Sequence, residues 1–218
     1  MKTLQSNGTV WALALLLSGS TLMACAQATS TGTTSTTPSG GRVASTSQTA
    51  LVAPLRQMVT KLQRLQPTGD PDFDFAMQAK IHAQGEQDLL KQAAQTNEDS
   101  ALKSMTTALL TDVQSDITQV DGIMRQIKPA RPNQAYTQQQ SRNVEAMNLK
   151  IQQATTGDRL AATGDQYIIG LLLDHRQDAV DMASTYLQYG RNASLRTYAQ
   201  ELVDSAKKEM EQLKGLKK

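Results

Sequence analysis

The chain has only two histidines, and a shift of 93 residues carries His82 onto His175. The same shift takes Gln84 to Gln177, Asp88 to Asp181, Leu102 to Leu195, Leu109 to Leu202 and Gly122 to Gly215, without a gap. Leu51 falls on Val144, Asp72 on Asp165 and Asp116 on Glu209. Self-similarity at one long period is the mark of a duplicated structural unit. It constrains the fold more than any single motif does. Whatever one half forms the other must form too, and the two must cover each other's apolar faces.

Each half reads as helix. Leu51, Leu55, Met58, Leu62 and Leu65 form a stripe that Pro67-Thr68-Gly69 ends. A second helix runs from Asp72 to Gln95 with Phe75, Ala79, His82, Glu86, Leu89 and Ala93 on one face. Asp99 or Ser100 caps a third, carrying Leu102, Leu109, Val113, Asp116, Val120 and Ile123, and Pro129 and Pro132 stop it. Asn133 caps a fourth, with Val144, Met147, Ile151 and Ala154, and Thr156-Gly157 marks a break. The fifth spans Asp165 to Tyr189 and bears Ile168, Leu172, His175, Ala179, Met182 and Tyr186. After Gly190 and Asn192, a sixth carries Leu195, Ala199, Leu202, Ala206, Glu209 and Leu213. No segment alternates with period two over strand length. The expected fold is all-α: duplicated helical hairpins packed face to face as a four-helix bundle. Additional short helices precede each hairpin, and residues 128–164 form the long crossover.

The N-terminus reads as an export signal. Lys2 supplies a positive start, and Val10 to Leu17 is an apolar run too short to span a bilayer, which takes about 20 residues. Leu22-Met23-Ala24-Cys25 looks like a bacterial lipobox, in which the cysteine is lipidated and becomes the first residue. Cys25 is the sole cysteine, so no disulfide can form within the chain and no cysteine-based zinc site exists. Residues 1–24 are then a lipoprotein signal peptide. Residues 25–49 are the lipidated cysteine and a Ser/Thr/Gly-rich tether, too poor in apolar groups to offset the entropy of ordering. Residues 50–218 are the helical domain, with repeats at 50–128 and 133–218. This predicts a protein anchored in the cell envelope through Cys25. In a two-membrane cell, Ala26 after the cysteine follows the pattern of lipoproteins sorted to the outer membrane, facing the periplasm.

The net charge of +2 and scattered basic residues point away from nucleic acid. No Gly-rich phosphate loop and no nucleophile–His–acid signature is present. The chain reads as a non-enzyme.

Certain runs resemble a known family. In the second half these are His175-Arg176-Gln177, Ala179-Val180-Asp181-Met182-Ala183 and Lys207-Lys208-Glu209-Met210. In the first they are Asp72-Phe73-Asp74-Phe75, His82-Ala83-Gln84-Gly85 and Asp116-Ile117. The chain resembles, in two tandem copies, the bacterial family of unknown function numbered 305. The resemblance implies a ferritin-like bundle, export and, as in some members, copper. Two adjacent histidines of the family pattern are here His82-Ala83 and His175-Arg176, so one of each pair is gone. The following methionine survives as Met182 but is Leu89 in the first half.

The polar residues on otherwise apolar stripes are the candidate site: His82, Glu86, Asp116, His175 and Glu209. A buried charge must find a partner or neutralise. Two readings stand side by side. In one, each histidine bonds the acid of its own hairpin and sets helix register. In the other, the cluster holds a metal, with Met182 as a sulfur donor. Imidazole and thioether suit copper. A ferroxidase is disfavoured, because dinuclear iron bundles need Glu-x-x-His units and none occurs here. Arg176 is expected on the solvated flank. The functional expectation is an envelope lipoprotein that binds copper for metal homeostasis. The alternatives are a metal-free structural or interaction lipoprotein and a redox enzyme using the bundle core.

Overall fold

A computed structural model describes residues 44–128, 131–162 and 164–217. The signal-like segment, Cys25 and most of the tether lie outside these residues. The described chain is helical throughout: α1 (Thr46–Arg64), α2 (Pro71–Ala93), α3 (Ser100–Met124), α4 (Gln134–Ala154), a short 3₁₀ helix (Gly157–Ala161), α5 (Gly164–Tyr189) and α6 (Ala193–Leu216).

The caps are local chemistry. Asp70 accepts from the Asp72 N–H ahead of Pro71 at the first turn of α2, and Asp99 accepts from Ala101 and Leu102. Asn133 accepts from Tyr136, and Asn192 from Leu195. Each side chain satisfies an N–H that the helix start leaves open. The first helix begins earlier than the apolar pattern suggested. Ser45 and Gln48 form a reciprocal capping box, so Thr46 to Gln48 belong to α1 and not to the tether. An all-polar cap hides inside a Ser/Thr-rich stretch.

The six helices pack as three layers of two: α1 with α4, α2 with α5, and α3 with α6. The four long helices α2, α3, α5 and α6 close into a bundle. The other pair are not short connections, at 19 and 21 residues, but a layer laid across the outer face of α2 and α5. The central helices are therefore covered on both sides, as a helix buried on more than one face must be. The stripes anticipated for α2 and α5 are buried at every position. Tyr167, Ile169, Leu171, Asp178 and Thr185 add further buried surface to α5. Between the central helices Phe75 stacks on Tyr186, ring centroids 4.2 Å apart. The α4–α5 contact is polar: the buried amides of Gln140 and Asn143 donate to the Met182 and Asp181 carbonyls, and Asn143 also donates to Thr185 Oγ1.

The hairpins clasp each other at both ends. The Asp72 carboxylate, at the start of α2, accepts from the Arg191 and Asn192 N–H groups in the α5–α6 turn. The Asp165 carboxylate, at the start of α5, accepts from Glu98 and Asp99 in the α2–α3 turn. All six residues are matched by the 93-residue shift. Each helix start thus lies beside the other hairpin's turn, which makes α2 and α5 antiparallel.

Candidate functional site

The site sits at mid-length of the central layer. His82 on α2 and His175 on α5 meet ring to ring, with centroids 3.7 Å apart and planes 14° from parallel. Both are buried. Glu86, one turn after His82, approaches His175 Nε2 with Oε2 at 3.5 Å and takes Arg176 Nη2 on Oε1. Arg176 Nε lies 2.6 Å from Glu209 Oε2 on α6, close but misaligned for a hydrogen bond. The guanidinium therefore joins three helices.

Two expectations are corrected here. Arg176 is not on a solvated flank; it is 4 % exposed and holds the centre of the cluster. The reason is visible in the sequence afterwards: Leu172, Arg176, Ala179 and Ala183 follow helical spacing and are all buried. Nor does each histidine pair with the acid of its own hairpin. His175 faces Glu86 of the other hairpin, and Glu209 is taken by Arg176.

Electrostatics follow from burial and from this one cation. Burial, then the neighbouring His175 and Arg176, hold the His82 pKa well below its ordinary value, so the ring is neutral at pH 7. Burial works to raise the Glu86 pKa, but Arg176 and His175 outweigh it and keep the carboxyl below its usual range. Burial pushes Glu209 up to about 7, with Glu86, Asp112 and Asp116 adding to the rise and Arg176 opposing it. Asp116, half-buried on α3, rises to about 6 through burial and the charge of Glu86. Met182 is buried on α5 about 10 Å along the helix from His175, at 1.5 Å per residue. Its backbone carbonyl serves Gln140.

The residues do not fit a metal ion well. Imidazole lone pairs lie in the ring plane, and two near-parallel planes 3.7 Å apart do not converge on one point. Arg176 places a fixed positive charge on both carboxylates. Among the described residues no group of three or more His, Cys, Asp or Glu is arranged to hold a metal. One feature points the other way. His82 Nε2 and both ring nitrogens of His175 are buried without a hydrogen-bond partner. Among the described residues no helix is long and apolar enough to cross a membrane.

Fold and site together define an all-helical protein whose two hairpins are joined through a buried, internally paired charge cluster. The family described as Domain of unknown function (DUF305) matches residues 72–217, and the chain belongs to it. The matched residues take in α2 to α6, while α1 lies outside them. No curated protein and no solved structure matches the chain.

Proposed function

We propose that this protein is an exported, lipid-anchored helical module of the cell envelope, held at the membrane through Cys25. In a two-membrane cell it faces the periplasm from the outer membrane. Its buried cluster is a charge clasp between duplicated hairpins, not a metal centre. The observation that carries this reading is the position of Arg176. A guanidinium that bonds Glu86 and lies against the Glu209 carboxylate does the work a cation would do, and repels a second one. The export half of the proposal rests on Lys2, the apolar run Val10 to Leu17 and the lipobox-like Leu22 to Cys25. The duplication rests on the matched roles of Asp72 and Asp165.

Copper remains the second reading because of the three orphaned imidazole nitrogens, which are suitable donors for that metal. It would need the rings to unstack.

The anchor is tested by fractionating cells that express the parent and Cys25→Ser. The parent should sediment with membranes and carry a lipid mass on its N-terminal peptide. Cys25→Ser should stay uncut or become soluble. A Cys25→Ser protein that is processed and still lipid-bound would overturn the anchor.

A further inference from the structure

The two halves differ where α1 and α4 meet the central helices. A cleft of about 790 Å³ opens between the end of α1, the start of α2 and the first half of α4. That volume suits a small-molecule ligand. The repeat-equivalent place, between α4, α5 and the start of α1, is filled. There the 3₁₀ helix folds in, Gln48 Nε2 donates to the Leu160 carbonyl, and Arg159 grips Asp174 through both guanidinium nitrogens at 2.5 and 3.1 Å. Arg159 Nη1 stands 3.7 Å from where a side chain on Gly170 would begin. The 93-residue shift maps Gly170 onto Met77 and Gln48 onto Ser141, and both of these line the open cleft. The α1–α2 connection has no counterpart to the 3₁₀ helix, because α1 runs on to Arg64 and leaves only residues 65–70 to turn the chain.

The lining selects a chemistry. Leu62, Phe73, Met77 and Val144 give apolar walls, and no Lys, Arg or His lines the cleft. Its two acids differ. Asp74 is already used, accepting from Thr68 and from the Gly69 N–H. Glu145 is exposed at the cleft and has no ion-pair partner among the described residues. Gln78 adds an amide whose Oε1 is without a hydrogen-bond partner. In the filled counterpart the occupant is a guanidinium against an acid.

We propose that this cleft binds a small organic cation with an apolar body, its charged end at Glu145 and its body against Phe73, Met77 and Val144. The site is separate from the histidine cluster and does not depend on the reading of that cluster.

The test titrates the full chain with dansylcadaverine, an apolar fluorophore bearing an amine, and with anilinonaphthalene sulfonate, an anion of similar size. Dansylcadaverine should bind saturably at one site, and the sulfonate at least about tenfold more weakly, the equivalent of ~1.4 kcal/mol. Val144→Trp should fill the cleft and abolish binding. Glu145→Lys, at an exposed position that leaves the core intact, should weaken dansylcadaverine about tenfold and narrow its advantage over the sulfonate. Equal binding of the two dyes, dansylcadaverine binding untouched by both substitutions, or no saturable binding in a chain with the parent's helical spectrum would each overturn the proposal.

Discussion

The imidazole rings of His82 and His175 lie face to face at 3.7 Å, although each stands at the same point of its own repeat. In an antiparallel helix pair related by a twofold axis, only residues beside the axis meet their own equivalents. The axis of the molecule therefore runs between these rings. Away from it, equivalent residues separate to opposite ends, as Asp72 and Asp165 do. The chemistry at the axis is not symmetric, however. Glu86 and Arg176 have Ala179 and Ala83 at the matching positions, so the buried Glu86–Arg176 ion pair is a departure laid over the repeat.

Matched clasps should have matched energies. Asp72→Asn and Asp165→Asn each weaken hydrogen bonds to two turn N–H groups, at a cost of about 1–2 kcal/mol. Because they sit at opposite ends of the central layer, the double variant should be additive within about 0.5 kcal/mol. Urea denaturation measures this. Hydrogen exchange should quicken at Arg191 and Asn192 in the first variant and at Glu98 and Asp99 in the second. Asp72 has one extra bond, from the Tyr186 hydroxyl at 2.6 Å, so its variant should be the worse of the two.

Arg176→Met should destabilise by about 3–5 kcal/mol, because Glu86 is left buried, and Glu209 partly buried, without their cation. Replacing all three together, as Glu86→Leu, Arg176→Met and Glu209→Leu, should recover most of that loss. Equilibrium unfolding of both variants checks it. A single variant as stable as the parent would show that the cluster contributes no clasp.

The pH dependence has two opposed parts. Glu209 and Asp116 have raised pKa values, about 7 and about 6, so their contribution to stability is full at low pH and is lost as pH rises through those values. His82 is depressed, so its contribution is present above about pH 6.5 and is lost as pH falls below it. Glu209→Gln removes the Glu209 share of the alkaline loss and leaves that of Asp116 and the acid loss of His82. Relative to the parent, it should gain stability between pH 5 and pH 8 by up to about 3 kcal/mol, less where water screens the carboxyl. Thermal melts across that range measure the change. A parent-to-variant difference constant with pH would contradict the raised Glu209 pKa.

Gly190 ends α5 beneath the Tyr186 ring, and a Cβ there would stand 2.0 Å from the ring. Gly190→Ala must displace a ring that stacks on Phe75 and bonds Asp72. The expected cost exceeds that of ordinary overpacking, which is about 1–3 kcal/mol. A drop in melting temperature and a change in near-ultraviolet circular dichroism should accompany it. A variant that melts with the parent would contradict this packing.

The helices were legible in the sequence because their signals are local. Asp99, Asn133 and Asn192 cap where they were expected to, and the stripes of α2 and α5 are the buried stripes. The repeat also carried His82 and His175 to the same helix face. What stayed hidden depends on layering. A stripe shows one buried face, and nothing local says that α1 and α4 cover a second. That cover is what buries Asp178 and Thr185 along α5. Arg176 was missed for a related reason: charge argued for solvent, while its spacing from Leu172 and Ala179 argued for the core. Which acid each histidine faces is a property of the axis between hairpins, and helical periodicity within one hairpin holds no information about it.

The claim that the cluster is a clasp is tested most directly by melting the parent and His175→Ala with and without Cu(I). Copper should leave the parent's melting temperature unchanged. His175→Ala should melt a few degrees lower in both conditions, as loss of about 1–3 kcal/mol would produce in a domain of this size. A parent stabilised by several degrees with Cu(I), together with a His175→Ala variant that shows no such gain, would contradict the clasp and establish the histidine pair as a copper site.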